Sequence, residues 1–249
     1  KLILKASGDV VANLTTQEFD AKKLTLNATG VKDKNSFEVI LDAPSISLAA
    51  EKYAGEKLTL NAKLDGAIGN VTAVLTMPGV EGNAQSFKVS ALTVDMEVKQ
   101  PEQTFKVKLT SPFSGNLKTQ QFDLSNLQVV VNATGDRLPN KSINSEMKGS
   151  VQIDAAKQVV QANLAGGLLQ SQIRAKVGMK GCSDPAINFD LDVDQFDADL
   201  YMPKAPVATV PKSNQPEQPL DFSALRKLNM DGSLRIGSIK VANVKAAQL

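Results

Sequence analysis

One short pattern recurs four times in the first half of the chain: an aromatic residue, four intervening residues, a leucine, then apolar residues at alternate positions. It reads Phe19/Leu24/Leu26/Ala28, Tyr53/Leu58/Leu60/Ala62, Phe87/Leu92/Val94/Met96 and Phe122/Leu127/Val129/Val131, with the aromatics 34, 34 and 35 residues apart. A proline keeps the same period at Pro44, Pro78 and Pro112, 25 positions after each aromatic. So does a second alternating run: Phe37/Val39/Leu41, Val71/Ala73/Leu75 and Phe105/Val107/Leu109. A fixed period of this length marks an array of similar supersecondary units, each too small to bury its apolar face alone. In such an array, function resides in a surface made by repetition rather than in a catalytic cluster.

Within each unit the alternation has period two, which puts leucines on one side of a strand and Thr, Asn or Lys on the other. Each repeat therefore holds about two strands, and ~12 residues of strand extend roughly 40 Å. Turn residues fall at Thr29-Gly30 with Lys32–Asn35, at Asp65-Gly66, at Gln100-Pro101-Glu102 and at Gly135-Asp136 with Pro139-Asn140. The expected fold is all-β: a long antiparallel meander of two-strand repeats over residues 1–202, forming a curled, groove-like sheet. Proline cannot donate to a ladder, so the recurring prolines mark either aligned bulges that curl the sheet or a corner where the chain changes strand.

The pattern loosens after residue 140. Ser150–Asp154, Gln158–Ala165 and Leu168–Val177 read as strands, with a short helix over Ala155–Leu164 as the alternative. Phe189–Asp194 alternates strictly, and Phe196–Leu200 alternates in the opposite parity, so a bulge is expected at Gln195. Residues 203–219 hold five prolines without periodicity and read as a mobile loop. Residues 220–249 read as a short helix near 221–228, capped by Asp221 or Ser223, and strands over Gly232–Val244 that continue the same sheet. Leu2-Ile3-Leu4 and Ile239–Ala242 look like strand interiors, so a piece of a longer chain is expected.

Composition narrows the chemistry. Histidine is absent and Cys182 is the only cysteine, which removes His-based acid–base catalysis, Ser-His-Asp and Cys-His nucleophiles, and His/Cys zinc or haem sites. Cys182 lies in the turn-like Gly181–Pro185 and reads as a packed or turn residue. The charge is nearly balanced, 28 basic against 26 acidic residues, which offers no electrostatic footprint for nucleic acid. The densest acidic cluster is Asp190, Asp192, Asp194, Asp197 and Asp199. Alternate strand positions lie about 7 Å apart and point in parallel, so a solvated face is expected there rather than a Ca²⁺ site or a hydrolytic carboxylate pair. Asn-x-Ser/Thr triplets at Asn13, Asn27, Asn70, Asn132 and Asn140 follow from Asn and Thr sharing the wet side of strands. No enzyme activity, metal or cofactor is expected.

What remains is the aliphatic stripe: Leu24, Leu26, Phe37, Val39, Leu41, Leu58, Leu60, Val71, Leu75, Leu92, Val94, Phe105, Val107, Leu109, Leu127 and Val129. It is either the filled core of a sandwich or barrel, or the open inner side of a curled sheet. In the second case its Trp-free aliphatic wall suits acyl chains, each buried CH₂ contributing ~0.8 kcal/mol.

The segment 189–237 adds a resemblance. Asp199, Tyr201 and Pro203 form Asp-x-Tyr-x-Pro at a strand end. A proline-rich stretch follows, then Leu220, Asp221, Ser223 and Leu225, then Leu228, Asp231, Gly232, Leu234, Ile236 and Gly237. This order closely resembles AsmA-family proteins, with Phe196 and Met230 as mild departures at usually aliphatic positions. The resemblance implies a large periplasmic body of repeating β-groove, anchored in the inner membrane of a Gram-negative bacterium by a helix N-terminal to such a segment. It also implies phospholipid acyl chains as ligand, moved towards the outer membrane, where a delivery partner is possible. The alternative is a structural or interaction protein of the envelope, a scaffold with a filled core and no ligand.

Overall fold

The computed structural model describes residues 2–16, 18–32, 35–49, 52–67, 69–136, 138–181, 185–200 and 229–247. They fold almost entirely into strands: β1 (Leu2–Asn13), β2 (Glu18–Lys32), β3 (Asn35–Leu48), β4 (Tyr53–Gly55), β5 (Leu58–Gly66), β6 (Gly69–Met77), β7 (Val80–Gly82), β8 (Phe87–Lys99), β9 (Gln103–Asn116) and β10 (Gln121–Gly135). The second half adds β11 (Ser142–Asp154), β12 (Val159–Leu168), β13 (Ser171–Lys180), β14 (Ala186–Val193), β15 (Phe196–Asp197), β16 (Met230–Ile236), β17 (Ser238–Val241) and β18 (Val244–Ala247). From β1 to β14 they form one curled antiparallel sheet in chain order. The short β4 and β5 make one interrupted strand beside β3, and β6 and β7 make the next. The expected meander is therefore present, two strands to each repeat.

The strand expected over Gln158–Ala165 is present as β12, and the alternative helix over Ala155–Leu164 is not. Two local expectations need correction. Thr29-Gly30 lies inside β2, because the ladder with β3 runs on to Lys32↔Asn35. The final strands do not simply extend the meander: β16 joins β14 in parallel, while β15, β17 and β18 form a separate three-stranded sheet. The proline-rich stretch 203–219, the helix near 221–228 and Cys182 lie outside the described residues.

The recurring prolines mark a line of irregularity rather than a corner. Pro44 and Pro112 sit within β3 and β9, and Pro78 separates β6 from β7. Each lies level with an anomaly in its neighbours. Lys22 pairs with Ser45 and Leu24 with Ala43, leaving Lys23 and Pro44 between them outside the ladder. The β8–β9 register shifts between Val89 and Leu92, opposite Pro112, and β10 shifts between Leu124 and Leu127 on the other side. Lys23 and Asn126, both on this line, have φ of 51° and 52°. In β2, β3, β8 and β10 the apolar alternation changes parity at this height, and the extra residue keeps both halves of the strand on one face. Buried Ser111 reinforces the line: its Oγ donates towards the carbonyls of Ser125, at 2.8 Å, and Pro112, at 2.7 Å.

Every extensive close contact between strands joins hydrogen-bonded neighbours, and few of the described residues are buried, so the described residues build no large packed core. The buried apolar residues among them are Ala21, Ala43, Phe87, Val89, Leu127 and Ala133. The polar face is a lattice of short-range pairs. Thr59, Thr76, Thr93 and Thr110 stand in one row across four strands. Thr25 donates to Asp42 at 2.9 Å, and Glu38–Lys63, Asp95–Lys108 and Glu97–Lys106 pair across strands at 3.5–3.6 Å. A hydrogen bond from Lys99, with Lys106 beside it, holds the Glu97 carboxyl below its ordinary pKa.

Candidate functional site

The register brings all sixteen residues of the aliphatic stripe onto one face. Leu26, Leu41, Leu60, Leu75, Val94, Leu109 and Val129 are successive cross-strand neighbours in a single row, which Met147 extends into β11. Val39 and Val107 belong to the next row, and Phe37, Val71 and Phe105 to the one after it. Leu24, Leu58, Leu92 and Leu127 line the bulge side. Of these residues only Leu127, 3% exposed, is buried; Leu26 is 40% exposed and the others are half-buried. Lateral neighbours and the curl of the sheet shield these side chains in part.

The face extends beyond the predicted set. Past Leu127 its row continues through Gly149, Leu164, Ala175, Leu191 and Leu234, reaching the last strand of the sheet. These positions alternate plainly in the sequence, but the loss of the 34-residue period after residue 140 hid that they share the earlier face.

On the other side of the bulge line the repeat aromatics gather. Phe87, Phe113 and Phe122 form a cluster with ring centroids 5.4, 6.2 and 6.1 Å apart. Gly115 stands between Phe87 and Phe122 in the register, where an added Cβ would lie 2.6 Å from the Phe122 ring and 3.1 Å from that of Phe87. The periodic aromatics were visible as a repeat; Phe113 was not, because β9 carries its alternation through the line without changing parity.

The acidic cluster is consumed by ion pairs. Arg235 on β16 reaches Asp192 at 2.5 Å and Asp190 at 2.6 Å, and Ser233 donates to Asp190 at 2.5 Å. The Ser233 hydrogen bond, aided by Arg235, holds Asp190 below its ordinary pKa, while the hydrogen bond to Asp192 raises that of Arg235. Lys240 bridges Asp197 at 3.0 Å and Asp199 at 3.4 Å, and its pKa is raised, mainly by Asp197. Asp199 also accepts from the backbone N–H of Asn243 and Ala242, at 3.0 and 2.5 Å, which lowers its pKa. Those two residues, at φ of 62° and 50°, turn the β17–β18 hairpin. The bulge expected at Gln195 does not form: β14 ends at Val193, the chain enters the second sheet at Phe196 with its register to the partner segment unchanged, and at this break Asp194 accepts from the N–H of Gln172 and of Gln195. The described part of the Asp-x-Tyr-x-Pro and Asp-Gly motifs thus holds strands together; Gly232 is obligatory, since a Cβ there would meet the carbonyl oxygen and ring of Phe189.

Comparison of the chain with protein-family models, characterised proteins and solved structures finds no match. Fold and site together define a long curled antiparallel β-sheet with one continuous apolar face and one charged face.

Proposed function

We propose that this chain is a periplasmic section of an inner-membrane-anchored, AsmA-like protein that binds phospholipid acyl chains along its apolar face and conducts them towards the outer membrane. The observation that carries the reading is that the apolar rows run uninterrupted across the sheet and, among the described residues, stay largely part-exposed instead of closing into a packed core. The sheet's strand order has thirteen positions, which at ~4.8 Å per strand makes a strip roughly 60 Å long. A single leaflet of hydrocarbon is ~15 Å deep, so several lipids fit in file. Contact between methylenes and Leu, Val and Phe side chains is non-directional, at ~0.8 kcal/mol per CH₂, so a tail slides from strand to strand without crossing large barriers. The headgroup stays in water at the open side. The reading requires no covalent step. A scaffold with a filled core draws no support from apolar side chains that stay part-exposed among the described residues.

The test is to express the chain in a bacterial periplasm, purify it without detergent, and extract and weigh the lipids that come with it. Phospholipid at a reproducible molar ratio is expected, and Leu60→Asp or Val94→Asp abolishes it while the far-ultraviolet circular dichroism of strand persists. A folded, lipid-free protein that also refuses added phospholipid overturns the reading in favour of a scaffold.

A further inference from the structure

Cross-strand ion pairs tie the charged face together from β3 to β9, but on β11–β13 the cations are in excess. Those strands carry Lys148, Arg174, Lys176 and Lys180 against Glu146 and Asp154, and Lys157 already holds Asp154 at 2.7 Å. The middle strand, β12, has no charged residue. The register sets Lys148, Ala165, Arg174, Asp192 and Arg235 in one row, with Asn163, Lys176 and Asp190 in the next. Asp192 and Asp190 are the acidic neighbours of the β13 cations, yet both are taken by Arg235. Arg174 is left without a hydrogen bond or ion pair among the described residues, and exposed Lys148 meets only Glu146 of its own strand, at 3.4 Å.

These side chains rim a cavity of about 450 Å³ whose floor is the exposed Ala165 and Asn163. The rim sets Lys148, Arg174, Lys176 and Arg235 against Asp190 and Asp192, so the cavity is cationic at neutral pH. Lys148 and Arg174 stand two strand spacings apart, ~10 Å, with the methyl group of Ala165 between them. Their long side chains span that gap from both sides. A guanidinium offers a planar fork matched to two oxygens of a phosphate, and an ammonium adds a point charge. We propose that Arg174, with Lys148 and Lys176, holds a phosphate group over Ala165, the Asn163 amide donating to a further oxygen. The site lies on the side of the sheet opposite the apolar rows. A lipid lying along those rows does not bring its headgroup there, so the assignment stands apart from the lipid reading. The phosphate is carried by a soluble compound or by a headgroup on a membrane surface that the charged face meets.

Calorimetric titration with glycerol phosphate, and flotation with phosphatidylcholine vesicles with and without phosphatidic acid, test it. Binding of glycerol phosphate supports the site with a soluble source. Capture only by vesicles that contain phosphatidic acid, without binding of glycerol phosphate, supports it with a headgroup. In the assay that responds, Arg174→Gln and Lys176→Gln each weaken binding about tenfold. Ala165→Glu, which fills the floor with a negative charge, abolishes it. Lys63→Gln removes one charge from the same face at β5, where Lys63 pairs with Glu38, and leaves binding unchanged. All these positions are exposed, and circular dichroism of the strands checks that each variant is folded. No binding of glycerol phosphate together with no preference for phosphatidic acid overturns the proposal. So does a loss as large in Lys63→Gln as in Arg174→Gln, or undiminished binding by a folded Ala165→Glu variant.

Discussion

Truncating a part-exposed leucine should cost less than truncating one that its neighbours enclose, and this chain offers both. Leu26→Ala removes about three carbons, worth ~2.4 kcal/mol of transfer free energy if fully buried. With 40% of Leu26 still in water, the loss falls to about 1.4 kcal/mol. Water fills the space, so no cavity term is added. Leu127 is 3% exposed, on the line where the bulged strands crowd together. There the full transfer term and a cavity term both apply, and Leu127→Ala should cost about 3–4 kcal/mol. Urea unfolding of both variants beside the native chain reads the difference from the midpoints at unchanged m. Equal losses near 3 kcal/mol would refute the reasoning, because Leu26 would then have to sit beneath a second layer.

Three further expectations use other features. Gly115→Ala should destabilise by about 1–3 kcal/mol in the same unfolding assay, since the new Cβ must displace the Phe122 ring or the Gln121 carbonyl, each 2.6 Å away. Ser111→Ala leaves two carbonyls of the bulge line without their hydroxyl donor and should cost about 1–3 kcal/mol, with faster amide exchange in β9 and β10. Asp190 and Asp199 have pKa values below their ordinary 3.8, so the stability they lend is present above that value and lost as pH falls through the lower, folded values. Hydrogen exchange should show β16–β18 loosening first in strong acid, and Arg235→Gln should produce the same loosening of β16 at neutral pH.

Much of this architecture is legible in residue parity. Leucines at 24, 26 and 58, 60 and aromatics at 19 and 53 differ in parity, so one extra residue must intervene if both are to face the same way, and the bulge line supplies it. The prolines 25 positions after the aromatics announced its height. What parity cannot state is whether a second layer covers the apolar side, because half a sandwich and an open sheet carry the same alternation. Nor does it give the direction of the last strands: Met230–Ile236 alternates equally well in a parallel or an antiparallel partner, and only the Arg235 bridge to Asp190 and Asp192 shows which neighbour it took. Phe113 escaped notice because its strand needs no extra residue, so nothing in its local pattern flags the ring cluster it completes.

Among the described residues, extensive contacts join only neighbouring strands, which bears on how such a molecule can change over time. Each repeat adds two strand widths, about 10 Å, to one dimension of the sheet and nothing to the other two. Duplicating or deleting a unit in phase with the proline leaves every surviving cross-strand neighbour of the right kind. The chain therefore behaves as a measuring tape. Its span is set by how many units are strung together, and its profile by the chemistry of any one of them.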